Sequence, residues 1–390
     1  MAYTELKIID GTPVLYISGR IDSVSAAVAE EEMASLLPDG PELVLDVENM
    51  EYISSAGLRV ILRLRRQYPD ISIINASQEV FEIFEMTGFS EMMPVERAMR
   101  HLSVDGCPVI GKGAKGTVYR YNPDTIVKVY NDISSLPGIR RERELARKAF
   151  VLGIPTAIPY DVVMVGDCYG SVFELLAAEP LTYYVNKEPE KMNEHAAVFA
   201  ELLRTIHGTA VSTADMPDGR ELIRSWIKTA APSLLDGDAE KITALVEALP
   251  ETHTMLHGDY HTNNIMIQNG EALLIDMDTL SYGAPVFELA NVYIAYKGFR
   301  LISDAMIENF LGLSADTASE FFDAFLPLYL GTDDPSAVKA AENKAELLSH
   351  TRLMRHLLRR DPDSAETARV VSFCAARIHE LLETVDTLAL

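Results

Sequence analysis

Two short segments constrain this 390-residue chain more than anything else in it. Residues 256–265 read Leu-His-Gly-Asp-Tyr-His-Thr-Asn-Asn-Ile, and residues 273–278 read Leu-Leu-Ile-Asp-Met-Asp. The first is polar and contains Gly258, which predicts a loop; the second predicts an apolar strand ending in two acids. Asp259 and Asn264 stand five residues apart, and Asp276 follows twelve residues later. A carboxylate can orient a hydroxyl and take its proton, whereas carboxylate and amide oxygens are hard donors that suit Mg²⁺. A fold that uses all of them must bring a loop and a strand end to one point. His257 and His261 also have the i, i+4 spacing of helical zinc ligands. Gly258 stands where the base of such a motif belongs and disfavours helix, which argues against zinc.

Further upstream, Gly-Lys-Gly-Ala-Lys-Gly-Thr-Val sets Gly111, Gly113, Gly116 and Val118 in a G-x-G-x-x-G-x-V spacing. A dinucleotide-binding loop shares that spacing but runs into a helix. Here Thr117–Arg120 continues as a strand, and Asn122-Pro123-Asp124 turns into another. The flanks therefore predict a β-hairpin folded over phosphates. Lys128 lies on the second of these strands, flanked by apolar residues. It is placed either to reach phosphate oxygens or, more plainly, to face water. A helix expected over Ile139–Gly153 carries Glu142 and Glu144, and each offers a carboxylate to Lys128. Each of these elements is common by chance, but their joint order predicts a nucleotide site.

The first hundred residues alternate strands and helices. Apolar runs within 5–18 are split by Gly11-Thr12, and a helix is expected over Asp22–Leu37 with Asp22 as its cap. A strand at Glu42–Val47, a helix at Ser55–Tyr68, a strand at Ile71–Asn75 and a helix from Ser77 to Met86 follow, with a last strand near Met92–Val95. This is the pattern of a compact α/β domain with a partly parallel sheet. Ser54-Ser55-Ala56-Gly57 joins a strand to a helix, so a serine there is a natural N-cap. The same helix N-terminus would also stabilise a phosphate on that serine. Small residues and a proline over 103–108 predict a linker. Beyond it come a small, mostly β lobe with one long helix and then, from Asn193, mainly helical periodicity.

Acidic residues outnumber basic ones 58 to 34, for a net charge of -24. Such a surface repels phosphate backbones and anionic lipid, so neither nucleic acid nor a membrane is an expected partner. No apolar run is long enough to span a bilayer, and the N-terminus lacks the pattern of a signal peptide. Cys107, Cys168 and Cys374 are widely separated, which excludes a disulfide framework and leaves a cytoplasmic reading. Nine of the net negative charges fall within the first 104 residues. The acidity is thus not concentrated in the C-terminal part and does not identify a substrate.

Residues 1–104 resemble a STAS domain, the fold of anti-sigma-factor antagonists. Gly19-Arg20-Ile21-Asp22, Asp46 and Tyr52-Ile53-Ser54-Ser55-Ala56-Gly57-Leu58 carry the resemblance. It implies a mixed sheet with helices, a partner such as an anti-sigma factor, and Ser55 as a phosphoacceptor. Ser54 departs from the Asp that precedes the modified serine in phosphoregulated members. Residues 105 to about 300 resemble the aminoglycoside phosphotransferase family through His257-Gly258-Asp259, Gly283-Ala284-Pro285 and Glu288-Leu289-Ala290, with Ala284 and Glu288 as departures, and the helical remainder resembles it only loosely. This implies an α+β protein-kinase-like fold, with a small mostly β N-lobe over 105–177 and a large helical C-lobe over 178–390.

The resemblance implies Asp259 as the catalytic residue and Asn264, Asp276 and Asp278 as Mg²⁺ ligands. Gly111, Gly113, Gly116, Val118 and Lys128 would hold ATP, and Glu174, in Phe173-Glu174-Leu175-Leu176, would mark the adenine-binding hinge. Its distance to Gly153-Ile154-Pro155 selects Glu144 over Glu142 as the partner of Lys128. The implied reaction moves the γ-phosphate of ATP to a hydroxyl of an unidentified small molecule. The alternatives are a protein kinase acting on a STAS serine and a nucleotide-binding signalling scaffold. Substrate choice would lie in 190–250 and 290–390, where Asp304, Glu308, Asp316, Glu320 and Asp323 read as a solvated helix face.

Overall fold

The computed structural model describes residues 3–9, 11–113, 115–132, 136–214 and 216–390. Ala114 of the glycine-rich stretch therefore lies outside the described residues. The chain forms two compact units, Met1–Ser103 and Val104–Leu390.

The first unit runs β1 (Tyr3–Ile9), β2 (Thr12–Ile21), α1 (Ala26–Leu36), β3 (Glu42–Asp46), β4 (Met50–Ile53), α2 (Ser55–Gln67), β5 (Asp70–Ala76), α3 (Gln78–Met86), α4 (Phe89–Met92), β6 (Val95–Arg97) and β7 (Arg100–Leu102). β1 and β2 are antiparallel, whereas β2–β3, β3–β5 and β5–β6 are parallel, and β4 also pairs with β2. Leu15, Leu43, Leu45, Ile71 and Ile73 are fully buried in the sheet, as their alternation requires. Leu58, Ile61 and Leu64 recur at helical spacing on α2 and cover it.

Two local expectations are corrected. Asp22 does not cap α1 directly; its carboxylate accepts the Val24 and Ser25 amides in the turn ahead of the helix. The strand expected near Met92–Val95 starts only at Val95. Gly88, in the left-handed region at φ 76, closes α3, and the next four residues form the single turn α4.

Gly57 is required by contact. A Cβ there would lie 2.7 Å from both Ile21 and Ile53 side chains and 2.9 Å from the Ile21 carbonyl oxygen. Gly57→Ala is expected to cost this unit about 1–3 kcal/mol through overpacking, read as a lower midpoint of its unfolding transition.

The second unit begins with an antiparallel sheet made from β8 (Val109–Lys112), β9 (Gly116–Arg120), β10 (Thr125–Tyr130), β11 (Pro159–Val165) and β12 (Cys168–Glu174), ordered β11-β12-β10-β9-β8. The helix α5 (Leu136–Val151) packs on β11 and β12. Then come β13 (Glu179–Pro180), α6 (Leu181–Lys187), α7 (Met192–His207), α8 (Gly219–Ala230) and α9 (Asp238–Glu247). Four short strands follow: β14 (Met255–Leu256), β15 (Ile265–Gln268), β16 (Glu271–Leu274) and β17 (Ser281–Tyr282). The chain closes with α10 (Pro285–Tyr296), α11 (Asp304–Leu311), α12 (Ala315–Leu330), α13 (Pro335–Arg360) and α14 (Ala365–Leu381).

This is the two-lobed arrangement expected from sequence, with a β lobe followed by a helical one. α10 is buried along nearly its whole length, because α13, α12 and α8 surround it. Phe199, Tyr260, Tyr296, Phe321 and Phe325 interlock beside it, with Phe199 at 4.4–5.8 Å from the other four rings. That rigid floor carries the loop at 257–264. None of the helices among the described residues is long and apolar enough to cross a membrane.

Candidate active site

A cleft of about 920 Å³ gathers Gly111, Gly113, Gly116, Val118, Lys128, Glu174, Asp259, Asn264 and Asp276 on its walls. The glycine-rich stretch is the predicted hairpin. Gly111 pairs with Val118, and the Gly113 amide donates to the Gly116 carbonyl at 2.9 Å. A Cβ on Gly116 would sit 2.2 Å from the Val129 carbonyl oxygen, so only glycine lets β9 lie this close to β10.

Lys128 projects from β10 into the cleft. Its Nζ lies 2.9 Å from Glu142 Oε1 and 3.1 Å from Asp276 Oδ1. Burial pulls the ammonium down, but the Asp276 and Glu142 carboxylates outweigh it and hold Lys128 above its usual value. The partner is thus Glu142, which corrects the choice of Glu144. Glu142 shares the inward face of α5 with Ile139, Leu145, Ala146 and Ala149. Glu144, two residues on, is turned to solvent and pairs with Lys148 at 3.7 Å. The second oxygen of Glu142 accepts from Tyr130 Oη at 2.8 Å, and Tyr130 also meets Ser171 Oγ at 3.1 Å. Both carboxylate oxygens are therefore held, which fixes the direction of the Lys128 side chain.

The loop 257–264 is fastened from several sides. Tyr260 Oη donates to the Phe199 carbonyl at 2.6 Å, and the Thr262 amide donates to Tyr296 Oη at 3.0 Å. The Gly258 amide donates to Glu288 at 3.0 Å, the His257 amide donates to the same carboxylate, and Asn291 Nδ2 donates to the Gly258 carbonyl at 3.1 Å. Gly258 has φ 84, and a Cβ there would meet the Thr279 carbonyl oxygen at 2.5 Å. Asp259 faces the cleft. Burial pushes its carboxyl up, but the hydrogen bond and charge of His261 win, with His257 and Arg352 adding to them, and hold it below the usual range. Asp259 is therefore ionised at neutral pH.

Asn264 Nδ2 donates to the Asp259 carbonyl at 2.9 Å, and no donor among the described residues reaches its Oδ1. Asp276 adopts φ 62, a costly backbone for a residue with a side chain. It brings Asp276 and Asp278 together with Glu142, one carboxylate oxygen from each lying within 4.8 Å of the others. Lys115 pairs with Asp278, and Lys128 with Asp276, so cationic charge already sits against these acids. An all-oxygen set of Asp276, Asp278 and the free Asn264 oxygen is the chemistry that Mg²⁺ requires, and the residues fit it.

Glu174 sits at the end of β12, where its carboxylate meets the Ile158 amide at 3.4 Å. In the first unit, Ser54 is the N-cap of α2, accepting the Gly57 amide at 3.5 Å, and Ser55 is its exposed first residue.

Sequence reasoning missed Glu288, Asn291, Tyr130, Lys115 and Arg352 as parts of this centre. Period-two alternation alone could have put Tyr130 on the same strand face as Lys128. Glu288 is fully buried, and burial pushes it up to about 7 against the pull of the Gly258 and His257 amides. The folded chain therefore binds a proton at Glu288 that the unfolded chain has already lost, over about pH 4.5–7. The contribution of Glu288 to stability is greatest below that window and declines as pH rises through it. In Glu288→Gln, the fall in stability between pH 5 and pH 7.5 should shrink by up to about 3 kcal/mol, as denaturant unfolding at the two pH values would show.

The hairpin, the buried lysine and the anchored loop define the class: a two-lobed kinase-like protein. Residues 106–324 match the model of the phosphotransferase enzyme family, and residues 3–101 match that of the STAS domain. The chain belongs to the phosphotransferase enzyme family and carries a STAS domain ahead of the enzyme. BtrV of Bordetella bronchiseptica, named as an anti-sigma factor antagonist, is 36% identical over 92 residues, covering 22% of this chain and 79% of that protein. The anti-sigma-B factor antagonist of Bacillus subtilis is 26% identical over 83 residues, covering 20% and 76%. The ternary complex of APH(2")-IIa with streptomycin and ATP superposes with a TM-score of 0.51 at 17% identity, covering 77% of this chain and 97% of that one. The last likeness concerns the fold.

Proposed function

We propose that residues 105–390 transfer the γ-phosphoryl group of ATP to a hydroxyl of a small molecule, and that the STAS domain at 1–104 binds a regulatory protein. The observation that carries this reading is the meeting of Lys128, Asp259, Asn264 and Asp276 in one cleft beneath a glycine hairpin. Gly111, Gly113 and Gly116 carry no side chains, so phosphates can approach the backbone of the hairpin closely, and Lys128, steered by Glu142, neutralises phosphate oxygens. Asn264, Asp276 and Asp278 would hold Mg²⁺, which supplies charge neutralisation on the phosphates when bound. Asp259, ionised, orients the acceptor hydroxyl. The acceptor oxygen bonds to the γ-phosphorus as the bond to the ADP oxygen breaks, and the hydroxyl proton passes to Asp259.

A second reading rests on Ser55, which is exposed at a helix N-terminus where a phosphate is stabilised. In it the acceptor is a STAS serine, in this chain or in a partner, and the enzyme is a protein kinase. Incubation with Mg–ATP followed by intact-mass measurement separates the two. A gain of one phosphate that disappears in Ser55→Ala supports the second. ADP release that depends on an added small alcohol, with unchanged protein mass, supports the first. Tight nucleotide binding with no transfer to either acceptor overturns both and leaves a nucleotide-binding signalling module.

A further inference from the structure

One set of charges lies behind the catalytic loop, outside the residues that line the cleft. Arg352, Arg355, His356, Arg359 and Arg360 occupy the last turns of α13, and helical spacing brings the first four to one side. Among the described residues, no carboxylate forms an ion pair with any of the five, although the chain carries a net charge of -24. Three arginines elsewhere make the contrast: Arg63, Arg224 and Arg377 each grip a glutamate with two nitrogens. On α13 the neighbours are other cations. Burial lowers Arg355 and His356, and the nearby arginines, Arg359 for the one and Arg360, Arg352 and Arg355 for the other, lower them further.

Asp361 and Asp363 follow the outer end of this row in the chain, and two acids face its inner end. Arg352 lies in the field of Asp259 and Glu288, and it helps keep Asp259 ionised. Its guanidinium lies 5.6 Å from the ring centroid of Trp226 on α8, and its hydrogen bond goes to Asn291 Oδ1. A guanidinium has five N–H donors, and among the described residues the Asn291 oxygen is the one protein acceptor that Arg352 has. Arg355 Nε is buried without a partner. A desolvated cation that lacks a counter-ion is costly to keep, which makes sense if the counter-ion is a ligand.

We propose that the acceptor carries an anionic group, a carboxylate or a phosphate, that Arg352 receives beside Asp259. Arg355, His356 and Arg359 line its approach. The proposal rests on the phosphotransfer reading above and names the substrate class of that site. The planar guanidinium matches either anion with two parallel hydrogen bonds, and the Trp226 ring supports it. Arg359 stands about 10 Å along the helix from Arg352, so the row gives local attraction within a surface that otherwise repels anions.

Trp226 is the one tryptophan of the chain, so its emission reports directly on Arg352. The full chain would be titrated with glycerol 3-phosphate, D-glycerate, glycerol and choline, each bearing a hydroxyl. One or both anions should shift the emission saturably. Arg352→Lys should weaken that binding about tenfold or more, because the fork is lost while the charge stays. The double variant Arg355→Gln/Arg359→Gln, which leaves the buried inner end intact, should weaken it several-fold and more so at low salt. A response to D-glycerate alone assigns the carboxylate, and one to glycerol 3-phosphate alone assigns the phosphate. No saturable response to either anion overturns the proposal. So does saturation by glycerol or choline that persists in Arg352→Gln. Mg–ATP binding and ADP release would be followed in the same samples. Anion binding without ATP binding sinks the phosphotransfer reading alone, whereas ATP turnover stimulated only by glycerol or choline sinks the anionic acceptor alone.

Discussion

Asp259→Asn is expected to slow phosphoryl transfer by about a hundred- to ten-thousandfold while Mg–ATP affinity changes only a few-fold. The substitution keeps the size of the side chain and its place beside His261, which stands 3.5 Å from the carboxylate. What it removes is the negative charge that His261, His257 and Arg352 stabilise, and with it the ability to take the acceptor proton. The loop itself should stay in place. Its backbone is anchored through Glu288, Asn291, Tyr296 and the Tyr260 bond to Phe199, none of which involves the Asp259 side chain. ADP release under saturating nucleotide measures the first effect, and titration with a fluorescent nucleotide measures the second. Full transfer activity in Asp259→Asn would refute the assignment.

Glu142→Ala should reduce transfer on the order of a hundredfold, with a raised KM for ATP, whereas Glu144→Ala should leave both nearly unchanged. Loss of Glu142 frees Lys128 to swing towards Asp276 and removes an acceptor from Tyr130, and a shift of about 1 Å in a phosphate-binding group costs that much. Breaking a buried pair also destabilises the fold, here by up to about 3–5 kcal/mol, because a desolvated ammonium loses a partner. Glu144 is exposed and its contact with Lys148 is a surface pair, so its loss should change stability by less than about 0.5 kcal/mol. Steady-state kinetics and thermal unfolding of the two variants, side by side, decide between the glutamates. Equal losses in both, or a loss in Glu144→Ala alone, would overturn the structural assignment.

The contrast between these glutamates shows how far residue order reaches. The glycine hairpin was legible because its signals are local: glycine spacing, a following strand and an Asn-Pro-Asp turn. The loop at 257–264 and the acids of 276–278 were legible for the same reason, since their spacing is their chemistry. The phase of α5 against the sheet is not local. Glu142 and Glu144 are both acidic residues on one helix, and only packing by Ile139, Leu145 and Ala149 selects the face turned to Lys128. Glu288 looked like a departure from the family pattern, yet its longer side chain still reaches the amides of His257 and Gly258.

By itself, then, the amino-acid order determined two modules, their fold classes and a phosphate-handling pattern, because strand, turn and loop preferences act over a few residues. The tertiary structure alone decided which carboxylate steers Lys128, which side chains hold the Asp259 loop, and that a row of arginines on α13 ends beside it. Those choices depend on contacts between residues 14 to 148 positions apart, from Lys128–Glu142 to Lys128–Asp276. Such contacts exist only once helices have settled on the sheet and on one another, burying apolar faces and leaving each charged group with the neighbours it will have.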